Sequence, residues 1–212
     1  MNELEGRNPK PRLDNQAPEL FGQTPSQTLG PFFHDCLPWK GGADLVGTSD
    51  MGARPVPQGE VIDLHGRVLD GHGEAVADAM LEIWQANAAG RYASRADRRE
   101  DGLIDPHFIG FGRAATGAGG EFHFRTIRPG RVPGPKGTLQ APHIALSVFG
   151  RGLLKRLATR IYFADCNDNA DDPVLISVPA DRRTTLIARR RGANWWFDVV
   201  LQGPGETVFF AL

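Results

Sequence analysis

Cysteine and tyrosine are scarce in this chain of 212 residues, which contains two of each. Cys36 and Cys166 are far apart and fit no metal-binding or redox spacing, so we expect reduced thiols in a cytosol. The six histidines form no H-x-H, H-x-x-H or H-E-x-x-H pattern, so the usual zinc signatures are absent. Nucleophile-elbow, phosphate-loop and dinucleotide-binding motifs are also missing. Local motifs therefore identify no active site.

Long apolar runs and a charge imbalance are absent as well. No run approaches the ~20 apolar residues that span a bilayer, and residues 1–20 lack the apolar centre of a secretory signal. We therefore expect a cytoplasmic protein with no membrane contact. The net charge of −1 gives no electrostatic reason to expect nucleic acid as a partner. Arginine clusters such as residues 189–191 are typical of a solvated face.

The sequence does contain a series of short strand patterns from Glu60 onward. VIDLHGRVLD alternates apolar and polar residues, and runs such as HIALSVFG and NWWFDVV are β-branched or aromatic and end at turn formers. Helical signals are confined to residues 153–158 and 171–188. In the second stretch Asp172 is a candidate N-cap and Pro173 the first helical residue. We predict an all-β fold, an antiparallel β-sandwich with long loops and one or two short helices.

Composition divides the chain into three segments. Residues 1–23 are polar, contain Pro9 and Pro11 and lack periodicity, so we expect an extended N-terminal arm that orders only when a partner holds it. Residues 24–59 combine the motif TPSQTLGPFF with a Gly/Pro-rich surface loop. Residues 60–212 form the predicted sandwich.

Five segments, in order, resemble the intradiol ring-cleaving dioxygenases: TPSQTLGPFF, LEIWQANAAGRY, FRTIRPG, APHIALSVFGRGLLKRLATRIYF and PGETVFF. Within the family, the resemblance is to the alpha chain of members built from paired alpha and beta chains. It implies a hetero-oligomer in which the beta chain alone holds Fe(III), through two tyrosines and two histidines. It also implies the substrates protocatechuate and O₂ and the product 3-carboxy-cis,cis-muconate, in the beta-ketoadipate pathway.

The same resemblance places the four family ligands at Tyr92, Val132, His143 and Ala145. Two of these positions keep a donor side chain, and an arginine that the family uses beside the substrate corresponds to Gln140. Because ferric iron needs anionic oxygen donors, we expect a vestigial site, with neither a metal nor a catalytic residue in this chain. Tyr92 is then a buried tyrosine with a hydrogen-bonded hydroxyl, and His143 a structural histidine.

Substrate-binding residues are expected where the chain faces its partner. The family's Thr-x-Gly-Pro motif, which lines the substrate pocket, corresponds to Thr28, Gly30 and Pro31, with Phe32 in place of a frequent tyrosine. The resemblance also implies that Arg151, in FGRG, binds the substrate carboxylate, because a guanidinium presents a fork of donors to that group. A rigid Pro/Gly turn and a surface salt bridge are the structural alternatives for these two features.

Two other functions stay open at this point. A single-chain intradiol dioxygenase with a shifted ligand set needs another tyrosine, and Tyr162, within a predicted strand, is the one available. A metal-free β-sandwich module that binds a protein or a carbohydrate does not account for the ordered motifs outside the core strands. Co-purification with an iron-carrying beta chain distinguishes these functions.

Overall fold

The structure is a computed structural model that describes residues 33–47, 55–99 and 103–211. Its two α-helices within these ranges are α1 (Phe33–Cys36) and α2 (Pro173–Ser177). The strands are β1 (Val61–Leu69), β2 (Met80–Trp84), β3 (Phe111–Ala115), β4 (Glu121–Ile127), β5 (Val132–Pro133), β6 (Leu139–Gln140), β7 (His143–Phe149), β8 (Leu157–Phe163), β9 (Ile187–Arg191), β10 (Asn194–Trp196) and β11 (Val199–Val200). Short 3-10 helices cover Pro135–Gly137, Asn167–Asp171 and Arg183–Leu186.

Nine strands form one mixed sheet that folds into two layers. One layer contains β4, β1, β10 and β11, the other contains β3, β2, β7 and β8, and β9 joins them by pairing with β10 and β8. Most pairings are antiparallel, but β1 runs parallel to β10 and β11, and β8 runs parallel to β9. The predicted all-β sandwich is confirmed, with a nearly barrel-like sheet that the sequence patterns did not indicate.

The core lies between the two layers. On β7 the inward positions include Ile144 and Leu146, which are at most 1% exposed. The Phe163 and Trp195 rings meet edge to face from opposite layers, with centroids 5.0 Å apart. Burying each such side chain stabilises the fold by roughly 1.5–3 kcal/mol. Because side chains alternate along a strand, the odd-numbered residues of β7, beginning with His143, lie on the outer face.

The helix predictions are confirmed at one place and wrong at another. Helix α2 begins at Pro173, and the Asp172 side chain accepts hydrogen bonds from two backbone N–H groups of its first turn, as an N-cap does. Residues 153–158 contain a bend at 154–155 rather than a helical turn, and Leu157 and Ala158 already belong to β8, where they pair with β7. The helical pattern predicted up to residue 188 gives way to β9 at Ile187.

The predicted N-terminal segments are described only in part. Residues 1–23, and with them the predicted arm, lie outside the described residues. After α1 the loop is bound to the sheet, since Arg113 N donates to Gly42 O. Cys36 and Cys166 are free thiols. No helix within the described ranges has the length and apolar character needed to cross a membrane.

Candidate functional site

A tight turn after β2 positions Tyr92. Asn87 closes this turn, since its Oδ1 accepts a hydrogen bond from Arg91 N at 2.9 Å and its carbonyl accepts one from Gly90 N at 3.0 Å. Gly90 has a φ of 76°, and a Cβ at this position would lie 1.8 Å from Arg131 O. Only glycine fits there. The QANAAGRY part of the motif is therefore a rigid support that packs Tyr92 close to β5.

Stacking and an ion pair hold Tyr92 in place. Its ring stacks on Trp84 with centroids 5.8 Å apart, and its backbone N donates to Asp97 Oδ2 at 3.1 Å. The hydrogen bond from Arg99 keeps the pKa of Asp97 well below its ordinary range. Tyr92 is half-buried, and burial raises the pKa of its hydroxyl. Within the residues that the structure describes, the Tyr92 hydroxyl makes no hydrogen bond, so the expected hydrogen bond is not observed.

His143 and Ala145 share the outer face of β7. His143 is 5% exposed, and its Nδ1 donates to Ala141 O at 2.8 Å, which leaves Nε2 as the acceptor. Burial, and then the positive charge of Arg160, lower the pKa of His143 to about 4. The imidazole is therefore neutral at physiological pH. Ala145 lies two residues further along the same face and offers no donor.

Strand register brings the other family positions to this face. Val132 pairs with Gln140 between β5 and β6, and Ala145 pairs with Arg160 between β7 and β8. Arg160 Nη1 donates to Gln140 Oε1 at 2.5 Å. Sequence patterns did not single out Arg160, and its one signal is a charged residue inside the otherwise apolar run TRIYF. A guanidinium thus lies among the family's ligand positions.

Trp84 lines two open clefts in this region. One, of about 320 Å³, is also lined by Tyr92 and Val132. The other, of about 580 Å³, is also lined by Ala145 and Arg160. Three of the four family ligand positions therefore border open space beside the same indole ring.

Tyr162 is not placed to serve as a substitute ligand. It is 0% exposed, and its hydroxyl donates to Asp172 Oδ1 at 3.0 Å. Burial raises the pKa of this phenol above its ordinary value, so ionisation to a tyrosinate is disfavoured. The same carboxylate accepts a bond from Ala141 N at 2.8 Å. These contacts make Tyr162 part of the support for α2, which argues against a single-chain enzyme with a shifted ligand set.

The donor set around these positions does not fit a ferric ion. Val132 and Ala145 carry no ligating atom, and the remaining pair is one neutral phenol and one imidazole. In the part of the chain that the structure describes, no group of three or more His, Cys, Asp or Glu side chains is arranged to hold a metal. Ferric iron needs several hard anionic ligands, and here a guanidinium is adjacent. The interpretation of the four positions as a vestigial site stays a prediction.

Arg151 lies beyond the opposite end of β7. The strand has 7 residues, which puts its two ends about 20 Å apart at ~3.3 Å per residue. The Arg151 side chain is 71% exposed, and its Nε lies 3.1 Å from Asp78 Oδ2. Phe33, the first described residue, stacks on Phe149 with centroids 6.4 Å apart. The other predicted binding residues, Thr28, Gly30, Pro31 and Phe32, lie outside the described residues.

Comparisons by sequence and by structure both match this chain to dioxygenases. The family profile described as Dioxygenase matches residues 30–203. The chain is 45% identical over 199 residues to the protocatechuate 3,4-dioxygenase alpha chain of Burkholderia cepacia, covering 89% of this chain and 96% of that one. It is 36% identical over 208 residues to the beta chain from the same organism, covering 93% and 82%. The solved dioxygenase domain of a dioxygenase–carbohydrate-binding protein fusion from Streptomyces sp. SirexAA-E aligns with a TM-score of 0.55 at 27% identity, covering 86% of this chain and 100% of that one.

Proposed function

Because the chain belongs to the intradiol dioxygenase family, we propose that it is the alpha chain of a protocatechuate 3,4-dioxygenase. The complete enzyme cleaves protocatechuate with O₂ to 3-carboxy-cis,cis-muconate, in the beta-ketoadipate pathway of aromatic catabolism. The observation that carries this proposal is the 45% identity to an alpha chain across 96% of that chain's length. Identity to the beta chain of the same organism is lower, at 36%.

The chemistry of the ligand positions supports an alpha chain rather than a beta chain. With Val132 and Ala145 in place of donors, this chain lacks half of the ligand set that the family resemblance implies. The iron, and with it the catalytic residues, then belong to a beta partner in an alpha–beta hetero-oligomer. Free thiols such as those of Cys36 and Cys166 agree with a reducing cytoplasm as the location.

We assign the substrate-binding role of this chain to the end of β7 that leads to Arg151. Arg151 is exposed and carries a permanent charge that fits the protocatechuate carboxylate. Phe33 is the last residue of the motif that contains Thr28 to Phe32, and its ring lies on Phe149, two residues before Arg151. This proximity supports one pocket wall formed by the motif and the arginine together. The vestigial positions at the other end of β7 take no part in it.

Iron content and colour test the proposal that the beta chain binds the iron and this chain does not. Tyrosinate bound to ferric iron absorbs visible light, so the chain purified alone should be colourless and iron-free. Co-expressed with a beta chain, it should co-purify as a red-brown complex that consumes O₂ in the presence of protocatechuate. A coloured preparation of this chain alone, with stoichiometric iron, contradicts the proposal. So does failure to associate with a beta chain that folds and binds iron.

A further inference from the structure

Arg160 is linked to both family ligand positions that lack a donor side chain, to Ala145 by strand pairing and to Val132 through Gln140. It stands directly opposite Ala145 in the pairing of β7 with β8. Its Nη1 donates to Gln140 Oε1 at 2.5 Å, and Gln140 is the cross-strand partner of Val132. The guanidinium is therefore bound by the strand that pairs with Val132, and its residue stands across from Ala145.

The same guanidinium reaches the retained histidine. Arg160 and Tyr162 lie two residues apart on one face of β8, and Arg160 Nη1 lies 3.5 Å from the Tyr162 hydroxyl. Tyr162 pairs with His143 across the strands, and the two ring centroids are 5.7 Å apart. Arg160 thus lies next to His143 as well as to the positions without a donor.

We propose that Arg160 takes the place of the metal: its guanidinium occupies the space between the family's ligand positions and excludes multivalent cations by charge. The site would then stay metal-free even with the missing donors restored. A guanidinium remains protonated throughout the pH range of a folded protein, so the exclusion is permanent. The family resemblance implies an arginine at position 140. In this chain the positive charge comes instead from Arg160 on β8, and Gln140 accepts a hydrogen bond from Arg160.

A Zn²⁺ titration of the chain alone tests this inference. Ala145→His places a second imidazole two residues from His143 on one strand face, a pair that binds divalent zinc. Isothermal titration calorimetry compares this variant with Ala145→His/Arg160→Gln. We expect Zn²⁺ to bind at least about 10-fold more tightly once the guanidinium is removed. Equal affinities of the two variants would overturn the proposal.

A matched variant separates local exclusion from net charge. Ala145→His/Arg189→Gln removes one positive charge from the exposed part of β9 and should bind Zn²⁺ like Ala145→His alone. If it binds as tightly as the Arg160→Gln form, the effect is one of total charge and the proposal is wrong. Wild-type protein gives the background from other groups, and melting curves show that each variant is folded.

Iron provides a second, independent measurement. Val132→Tyr/Ala145→His restores the four donor types, and it is compared with the same variant carrying Arg160→Gln after loading with ferric citrate. Stoichiometric iron and a visible absorption band are expected only with Arg160→Gln. A coloured, iron-loaded protein that still contains Arg160 would contradict the inference. If Val132→Tyr prevents folding, the Zn²⁺ series decides alone. Neither test involves a beta chain, so a failed alpha-chain assignment leaves both outcomes unchanged.

Discussion

At the scale of single residues, Arg151 carries the proposed contact with the substrate. Its exposed ion pair with Asp78 is worth at most about 1 kcal/mol, so Arg151→Ala should hardly change stability. In the iron-loaded complex the same change should lower kcat/KM by about 10- to 150-fold, the equivalent of one charge-assisted hydrogen bond of roughly 1.5–3 kcal/mol. Steady-state kinetics should show the loss mainly in KM, because the carboxylate is remote from the bond that breaks.

Three controls distinguish substrate binding from a structural role of Arg151. Catechol lacks the carboxylate, so its turnover should change far less. Arg151→Lys should recover only part of the loss, because an ammonium cannot reproduce the fork of two donors. Asp78→Asn breaks the surface ion pair and should leave KM unchanged. Equal slowing on both substrates, or a matching effect of Asp78→Asn, would make Arg151 a structural residue only.

His143 should make folding stability depend on pH. Its pKa is lowered from 6.5 to about 4 by burial and the neighbouring Arg160 charge, so between these values the unfolded chain binds a proton that the folded chain does not. Stability is therefore lost as the pH falls, by about 2 kcal/mol between pH 7 and pH 5. In urea unfolding, His143→Gln should remove this part of the slope. An unchanged slope in the His143→Gln variant would contradict this prediction.

At the scale of secondary structure elements, Asp172 fastens α2 to the sheet. Its buried carboxylate accepts two bonds from the first turn of α2, one from Ala141 N and one from the Tyr162 hydroxyl. Asp172→Ala removes the cap and leaves buried donors unpaired, which should cost about 3–5 kcal/mol. Urea unfolding measures this loss. Asp171→Ala, at the exposed neighbour, should change stability by less than about 0.5 kcal/mol, and equal effects of the two substitutions would refute the role of Asp172.

Elements that a short-range sequence pattern specifies were predictable, and elements that form by pairing with strands distant in sequence were not. The N-cap at Asp172 and the alternating run of β1 follow from short-range patterns, and both are confirmed. The stretch Ile187–Arg191 gave no strand signal, because it ends in three charged residues and becomes a strand by pairing with β8 and β10. Arg160 was missed for the same reason, since its position opposite Ala145 depends on strand register, which local sequence does not set.

At the scale of the whole molecule, the C-terminal strands complete the layer around β1. Strand β10 pairs with β1 and places Trp195, which is fully buried, in the central core. A chain ending at Gly192 lacks β10 and β11, exposes one edge of β1 and loses this indole. Removing a buried tryptophan alone costs about 3–5 kcal/mol, so the truncated chain should not fold. Circular dichroism and soluble yield measure this, and a cooperative melt of the truncated chain would show that the second layer closes without these strands.

The pairing of β1 with β10 also sets an order of events during synthesis. The bond from Arg67 N to Asp198 Oδ1 spans 131 positions, and a ribosome adding ~5–20 residues per second needs about 6–25 s to make that length. During this interval one edge of β1 has no native neighbour, and an open edge is a template for pairing with another chain. The nascent chain is thus most prone to aggregation before its last strands emerge. Conditions that shorten this interval or shield the edge, such as chaperone co-expression, should raise the soluble yield more than additives that stabilise the finished fold.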